Sequence, residues 1–216
     1  MNNFEKKAGL SLIIFTMLVV FTMILHPVGG NVEHIIRITN VIIITHAIAI
    51  FSLPFGCMGF WGLTKKIGAE HPGSVLAFIA SAFGLTAVML AAATNGLVLP
   101  LFLQQYKDAG ADTLAALKPM LRYSYACNHA FDYIYTGAFC MAILCWSITI
   151  LLTKKIAAWV GWLGVVVSVV VIAAVPASGI AVNSLLGLRF FTTGITGWLL
   201  LAGIVLFRSN RLALPA

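Results

Sequence analysis

The sequence has little charge and very little acidic charge. Of its 216 residues, 9% are charged, with six Asp and Glu against 13 Lys and Arg, whereas 61% are hydrophobic and the mean hydropathy is +1.04. Soluble domains carry roughly 25% charged residues. The composition therefore excludes an ordinary soluble domain and predicts an all-α integral membrane protein whose main partner is the lipid bilayer.

The sequence also lacks several motifs that are typical of soluble enzymes. The chain has no P-loop, no GxGxxG after a strand and no GxSxG, and its four cysteines (Cys57, Cys127, Cys140 and Cys145) form no CxxC pair. Neither nucleotide chemistry nor a disulfide framework is predicted. The basic residues gather at the ends of apolar stretches instead of alternating with aromatic residues, so the net charge of +7 does not indicate nucleic-acid binding.

Six apolar stretches account for most of the chain: Ala8–His26, Ile38–Leu63, Val75–Leu103, Ala130–Leu152, Ala157–Pro176 and Phe190–Phe207. Each approaches the ~20 residues that a helix needs to cross ~30 Å of hydrocarbon. Open strands are excluded because lipid cannot satisfy their unpaired backbone groups. We therefore predict six transmembrane helices in a single domain, residues 1–216.

The basic residues predict the orientation. One side of the predicted bundle carries eight of them (Lys6, Lys7, Lys65, Lys66, Lys154, Lys155, Arg208 and Arg211), and the other carries five (Arg37, Lys107, Lys118, Arg122 and Arg189). The excess favours cytoplasmic N and C termini in a multi-pass inner-membrane protein. The connection 104–122 is then external. It is either a loop with a short interfacial helix, capped by Asp112 and running to Met120, or an ordinary hydrated loop.

A weak internal repeat links the second and fourth stretches. The tripeptides around His46 and His129 are Thr-His-Ala and Asn-His-Ala, 83 residues apart, and each histidine is followed eleven residues later by Cys-Met. The same five residues, Leu-Thr-Lys-Lys-Ile, stand at the end of both stretches. Three helical hairpins (1–72, 73–155 and 156–216) would explain this pattern. Coincidence in an apolar chain is the alternative.

The candidate site follows from ionisable groups inside these stretches. Asp132 is the only acidic residue within any of them, and a carboxylate at mid-span costs about 3 kcal/mol on insertion scales. Its helical stripe is predicted to contain Tyr125, His129, Thr136 and Cys140. With His46 at the matching repeat position, we predict an outward-facing polar site formed by His46, His129 and Asp132. Secondary candidates are His26, Glu33, Arg37, Asn95, Asn128 and Arg122.

Three functions fit this pattern. In the first, His46 and His129 bind a divalent metal or the iron of haem b, with Asp132 as third ligand or orienting group, in a redox protein or a metal-dependent enzyme. Arg37 and Arg122 would pair with haem propionates, and His26 or Glu33 would complete a non-haem site. In the second, the site carries a small solute and His129–Asp132 couples protons. In the third, the chain is an assembly subunit of a homo- or hetero-oligomer and its polar groups only join helices. The sequence leaves open whether any reaction is catalysed.

Overall fold

The computed structural model describes residues 3–27, 29–174 and 185–208, and within these ranges every regular element is a helix. The elements are α1 (Asn3–Leu25), α2 (Val32–Arg37), α3 (Thr39–Gly68), α4 (Pro72–Ala91), a π-helical segment (Ala92–Val98), α5 (Leu99–Gln104), α6 (Ala111–Ala116), α7 (Lys118–Thr153), α8 (Ala158–Val169) with a second π-helical segment (Val170–Ala174), and α9 (Leu185–Arg208). The all-helical prediction is confirmed for this part of the chain.

Five helical stretches are long and apolar enough to cross a membrane: Asn3–Leu25, Thr39–Gly68, Pro72–Gln104, Ala111–Thr153 and Arg189–Arg208. They are compatible with the predicted multi-pass membrane protein. The predicted span Ala157–Pro176 corresponds to a shorter apolar helix, Ala158–Ala173. The end of that predicted span lies outside the described residues, so the count of six spans remains a prediction.

Helices α1 and α3 form one hairpin and α4 and α7 form another, and the two hairpins pack together through α3 and α4. Helix α1 packs on α3 and α9, α4 packs on α7, and α8 packs on α7. Close approach depends on glycine: a β-carbon at Gly9 would lie 2.5 Å from the Phe207 backbone nitrogen, so α1 and α9 touch through their backbones. In the main apolar core, Trp146 is fully buried and its Nε1 donates to the Thr64 hydroxyl at 3.0 Å.

One end of the bundle is closed by the short elements, and we call it the outer end after the predicted orientation. An apolar cluster there joins α2, the starts of α3 and α7, and α5 (Val32, Ile35, Ile42, Leu99, Leu103 and Leu121). Tyr125 in α7 binds the α1–α2 connection twice. Its hydroxyl donates to the Gly30 carbonyl at 3.0 Å and accepts from the Gly30 amide at 3.2 Å. These contacts hold the segment that follows α1 against the bundle.

The 104–122 connection differs from its prediction in two ways. The short helix is present as α6, but its N-cap is Gly110, and Asp112 lies in the first turn instead of capping it. The helix ends at Ala116, before Met120, because a new helix starts at Lys118 with Pro119 in its first turn, where proline is favoured. As a result α7 has 36 residues, about 54 Å long, and extends well beyond the predicted start at Ala130.

The repeat remains a prediction. Hairpins α1–α3 and α4–α7 both form, but chain neighbours would pack in this way with or without a repeat. The matched positions have different environments: His46 is partly buried and His129 is exposed, whereas Cys57 is exposed and Cys140 is buried.

Candidate functional site

A cavity of about 180 Å³ lies between α1, α3, α4, α7 and α9. It is slightly larger than an engineered protein cavity of about 150 Å³ that binds benzene. Its ionisable and amide side chains lie towards the outer end, and they are His26, His46, Asn128 and Asp132. Hydroxyl groups of Thr22, Ser52, Tyr135, Thr192 and Thr196 are distributed along the lining. Its floor is apolar and includes Phe15, Leu53, Leu85, Phe139 and Leu199. An apolar pocket with a few convergent polar groups is the usual form of a small-ligand site.

His26 enters the cavity from the residue that directly follows α1. Its Nδ1 lies 3.1 Å from the Pro27 carbonyl oxygen, and because a carbonyl only accepts, Nδ1 is the donor. In the neutral form of this tautomer, Nε2 has a free lone pair.

His46 enters the same cavity from the outer half of α3, and it has the same tautomer. Its Nδ1 donates to the Ile42 carbonyl one turn earlier, at 2.7 Å, so Nε2 again has the lone pair in the neutral ring. The ring rests on the backbone of Gly96 in the π-helical segment, where a β-carbon would overlap it. Glycine at this position is therefore what makes room for the imidazole.

The two imidazoles form a pair. Their ring centroids are 5.2 Å apart and the planes are inclined by 62°. Two imidazoles that share one tetrahedral ion at metal–nitrogen distances of about 2.0–2.1 Å have centroids about 5 Å apart. The observed spacing is that of an ordinary edge-to-face ring contact and also that of two imidazoles on one ion.

Asp132 ends a chain of polar side chains that starts near the outer surface. The Ser124 hydroxyl donates to Asn95 Oδ1, Asn95 Nδ2 donates to Asn128 Oδ1 at 3.1 Å, and Asn128 Nδ2 donates to Asp132 Oδ2 at 3.0 Å. Asp132 is only 6% exposed. Asn95 can join this chain because it lies in the π-helical segment Ala92–Val98, and such segments occur frequently at functional sites.

The structure brings together only part of the predicted site. His46 and Asp132 line the cavity, but His129 is exposed and is not among its lining residues. The face of α7 that lines the cavity is Asn128, Asp132, Tyr135 and Phe139. The predicted stripe shares Asp132 with this face. Its members His129, Thr136 and Cys140 each follow a lining residue by one position and do not line the cavity. The residue beside His46 is His26, which the sequence analysis ranked as secondary.

The other secondary candidates separate into two groups. Asn95 and Asn128 belong to the chain that reaches Asp132, as described above. Glu33, Arg37 and Arg122 are exposed at the outer end and do not line the cavity. Arg37 instead has its Nη2 3.0 Å from His34 Nδ1. Sequence reasoning did not anticipate Tyr135 or Thr192 as lining residues, because neither residue stands out in an apolar helix.

The donor set fits some metal sites and not others. In residues 3–27, 29–174 and 185–208, no three His, Cys, Asp or Glu side chains are grouped closely enough to hold an ion together. A closed structural zinc site has four protein ligands, so that type does not fit. The donor set is compatible with an ion that is held by two imidazoles and keeps its other coordination positions open. Asp132 lies elsewhere in the same cavity.

No protein-family model matches the chain, and neither a curated protein nor a solved structure is detectably similar to it.

Proposed function

We propose that this chain is a multi-pass inner-membrane protein with six transmembrane helices and cytoplasmic termini. Five long apolar stretches support the multi-pass arrangement, and the shorter helix Ala158–Ala173 is the remaining span. The eight-to-five distribution of basic residues supports the orientation. In this orientation the cavity lies in the outer half of the membrane.

We further propose that His26 and His46 bind one metal ion in this cavity. The observation that carries the proposal is the pair itself: both Nδ1 atoms donate to backbone carbonyls, and the rings are 5.2 Å apart in one cavity. Backbone hydrogen bonds of this kind commonly orient histidine ligands and fix their tautomer. This replaces the predicted pairing of His46 with His129.

The cavity volume favours a single ion with a water or a small molecule over haem b, because about 180 Å³ corresponds to a benzene-sized ligand. Imidazole ligands suit zinc, copper, iron and nickel. An ion with open positions can polarise a carbonyl or activate water. Asp132 would accept a proton in this setting, and Asn128 would orient it through the hydrogen bond to Oδ2. The proposed function is therefore a metal-dependent membrane protein with an intramembrane reaction or binding chamber.

The test is metal analysis of the detergent-purified protein together with titration by Zn²⁺, Co²⁺ and Cu⁺. We expect one ion per chain and, with Co²⁺, the visible absorption of a nitrogen-ligated ion. A protein that binds none of these ions, with folding confirmed by circular dichroism, would refute the proposal.

A proton-coupled solute transporter is the second candidate. The observation in its favour is the buried carboxylate of Asp132 at the end of the Ser124–Asn95–Asn128 chain. Against it, α3 continues through Pro54 without a break, whereas many transporters bind solute at discontinuous helices. In a transporter, Asp132→Asn would abolish activity and leave metal binding intact. If these groups only join helices, the same change would lower thermal stability alone.

A further inference from the structure

A second hollow adjoins the cavity on the side where α1 faces α9. It has a volume of about 370 Å³ and is lined by Val20, Ile24, Arg189 and Thr193, together with three residues that also line the first cavity. Those three are Met23, Thr192 and Thr196. The two spaces therefore share a wall, and we call the second one the α1–α9 groove.

The groove opens on the surface that faces lipid. Ile24 is 71% exposed and Val20 is 40% exposed. Both lie in α1, an apolar helix that is long enough to cross the membrane. Large aliphatic side chains exposed on such a helix contact hydrocarbon. A molecule in the α1–α9 groove would therefore come from the bilayer and not from water.

The groove also carries a positive charge. Arg189 lines it and is exposed, and no acidic residue is among the described residues that line it. Arg189 also lies close to the first cavity, because it is about one helical turn before Thr192, which lines both spaces. Arginine at this position offers a paired hydrogen-bond donor to a carboxylate or a phosphate.

Polarity changes along both helices in the same direction. On α1 the lining residues run from His26 at the outer end to Phe15, about 16 Å along the helix, and on α9 they run from Arg189 to Leu199, about 15 Å. Half of the ~30 Å hydrocarbon core is also about 15 Å. The polarity of these two walls therefore parallels that of one lipid molecule in the outer leaflet.

We propose that the cavity takes a fatty carboxylate that enters sideways from the outer leaflet through the α1–α9 groove. The carboxylate binds Arg189, and the hydrocarbon chain passes Met23 and Thr196 towards the apolar floor. Because the cavity of about 180 Å³ holds only a benzene-sized group, only the far end of one hydrocarbon chain enters it, and the rest of the chain lies in the groove of about 370 Å³. The inference deepens the proposed function, on which it rests for the cavity being the site, because it names the class of molecule that reaches the two histidines.

The test uses the full-length, metal-free protein in a neutral detergent, titrated with dodecanoate and, separately, with dodecanol. We expect one dodecanoate per chain and weaker binding of dodecanol, because it lacks the charge that Arg189 recognises. Arg189→Gln should weaken dodecanoate binding about tenfold, and Arg189→Lys should recover part of it. Arg122→Gln is the matched control, since Arg122 is exposed at the outer end and does not line either space.

The position of the chain is tested by photocrosslinking with dodecanoate that carries a diazirine at its far end. Labels on Leu85 or Leu199 would place that end at the cavity floor, as proposed. Labels confined to lipid-exposed surfaces, or equal affinity of wild type and folded Arg189→Gln, would overturn the proposal and leave Arg189 as an interfacial anchor. Binding of phosphatidylglycerol without binding of dodecanoate would also overturn it, in favour of a two-chain lipid.

His46→Ala separates this inference from the metal proposal. The variant should lose the ion and still bind dodecanoate. If wild-type protein binds dodecanoate at Arg189 but no metal, only the proposed metal function fails. If it binds metal but not dodecanoate, only the lateral route fails.

Discussion

His26 and His46 meet edge to face across the α1–α3 hairpin, with ring centroids 5.2 Å apart. Each ring is held by its Nδ1 on a backbone carbonyl, that of Pro27 or that of Ile42. Binding of a ligand would therefore cost little side-chain entropy, because these hydrogen bonds already set the orientation of both rings.

The first prediction concerns the metal ligands. His26→Ala and His46→Ala should each weaken metal binding by about 100-fold or more, since even loss of a group that orients a ligand costs 10- to 100-fold. His129→Ala should have no effect, because His129 is exposed and does not line the cavity. Isothermal titration with Zn²⁺ measures all three. Loss of affinity in His129→Ala together with normal affinity in His26→Ala would restore the pairing expected from the sequence.

The second prediction concerns the room that Gly96 leaves for His46. A β-carbon at Gly96 would overlap the His46 ring, so Gly96→Ala should displace that ring and cost about 1–3 kcal/mol of stability. Metal affinity should fall with it. Gly137→Ala is the control on α7, where an added β-carbon meets no atom within 4 Å. Thermal unfolding and metal titration of both variants test the contrast, and equal behaviour would contradict it.

The third prediction concerns the hydrogen bond from Asn128 to Asp132. Asn128→Ala removes the Nδ2 donor 3.0 Å from a carboxyl group that is 6% exposed, and should cost about 1–3 kcal/mol. Asn40→Ala changes an exposed amide near the same end of the bundle and should stay within about 0.5 kcal/mol. The measurement is reversible unfolding in mixed micelles. A stable Asn128→Ala variant would show that Asp132 does not depend on this bond.

The fourth prediction concerns topology. In a variant whose four cysteines are replaced by alanine, Asp108→Cys should react with an impermeant maleimide in intact cells, because 104–122 is predicted to be external. Asp108 is suitable because its side chain is 87% exposed. Ala157→Cys, exposed at the opposite end of α7, should react only after lysis. The reverse labelling pattern would invert the orientation and place the cavity in the cytoplasmic half.

Part of the site could be read from the sequence because it depends on composition alone. Asp132 stands out as the one acidic residue in an apolar stretch, and an ionisable group there usually lies in the protein interior. His46 was identified for a similar reason, and both line the cavity. The partner of His46 could not be identified, because helical periodicity leaves the rotation of each helix undetermined. A small rotation of α7 places Asn128 in the cavity and leaves His129 outside.

The sequence by itself determined the class of this protein, since hydropathy is a sum over neighbouring residues and needs no knowledge of distant contacts. It also placed the ends of the long apolar helices and of the short helix between Gln104 and Arg122 to within about five residues, except that α7 starts 12 residues before the predicted Ala130. Only the tertiary structure decided which polar groups meet. The turn after α1 brings His26 to His46, and the π-helical segment Ala92–Val98 shifts the register of α4 so that Gly96 faces His46 and Asn95 reaches Asn128. These contacts join residues from separate helices, and their geometry depends on packing that no local pattern encodes.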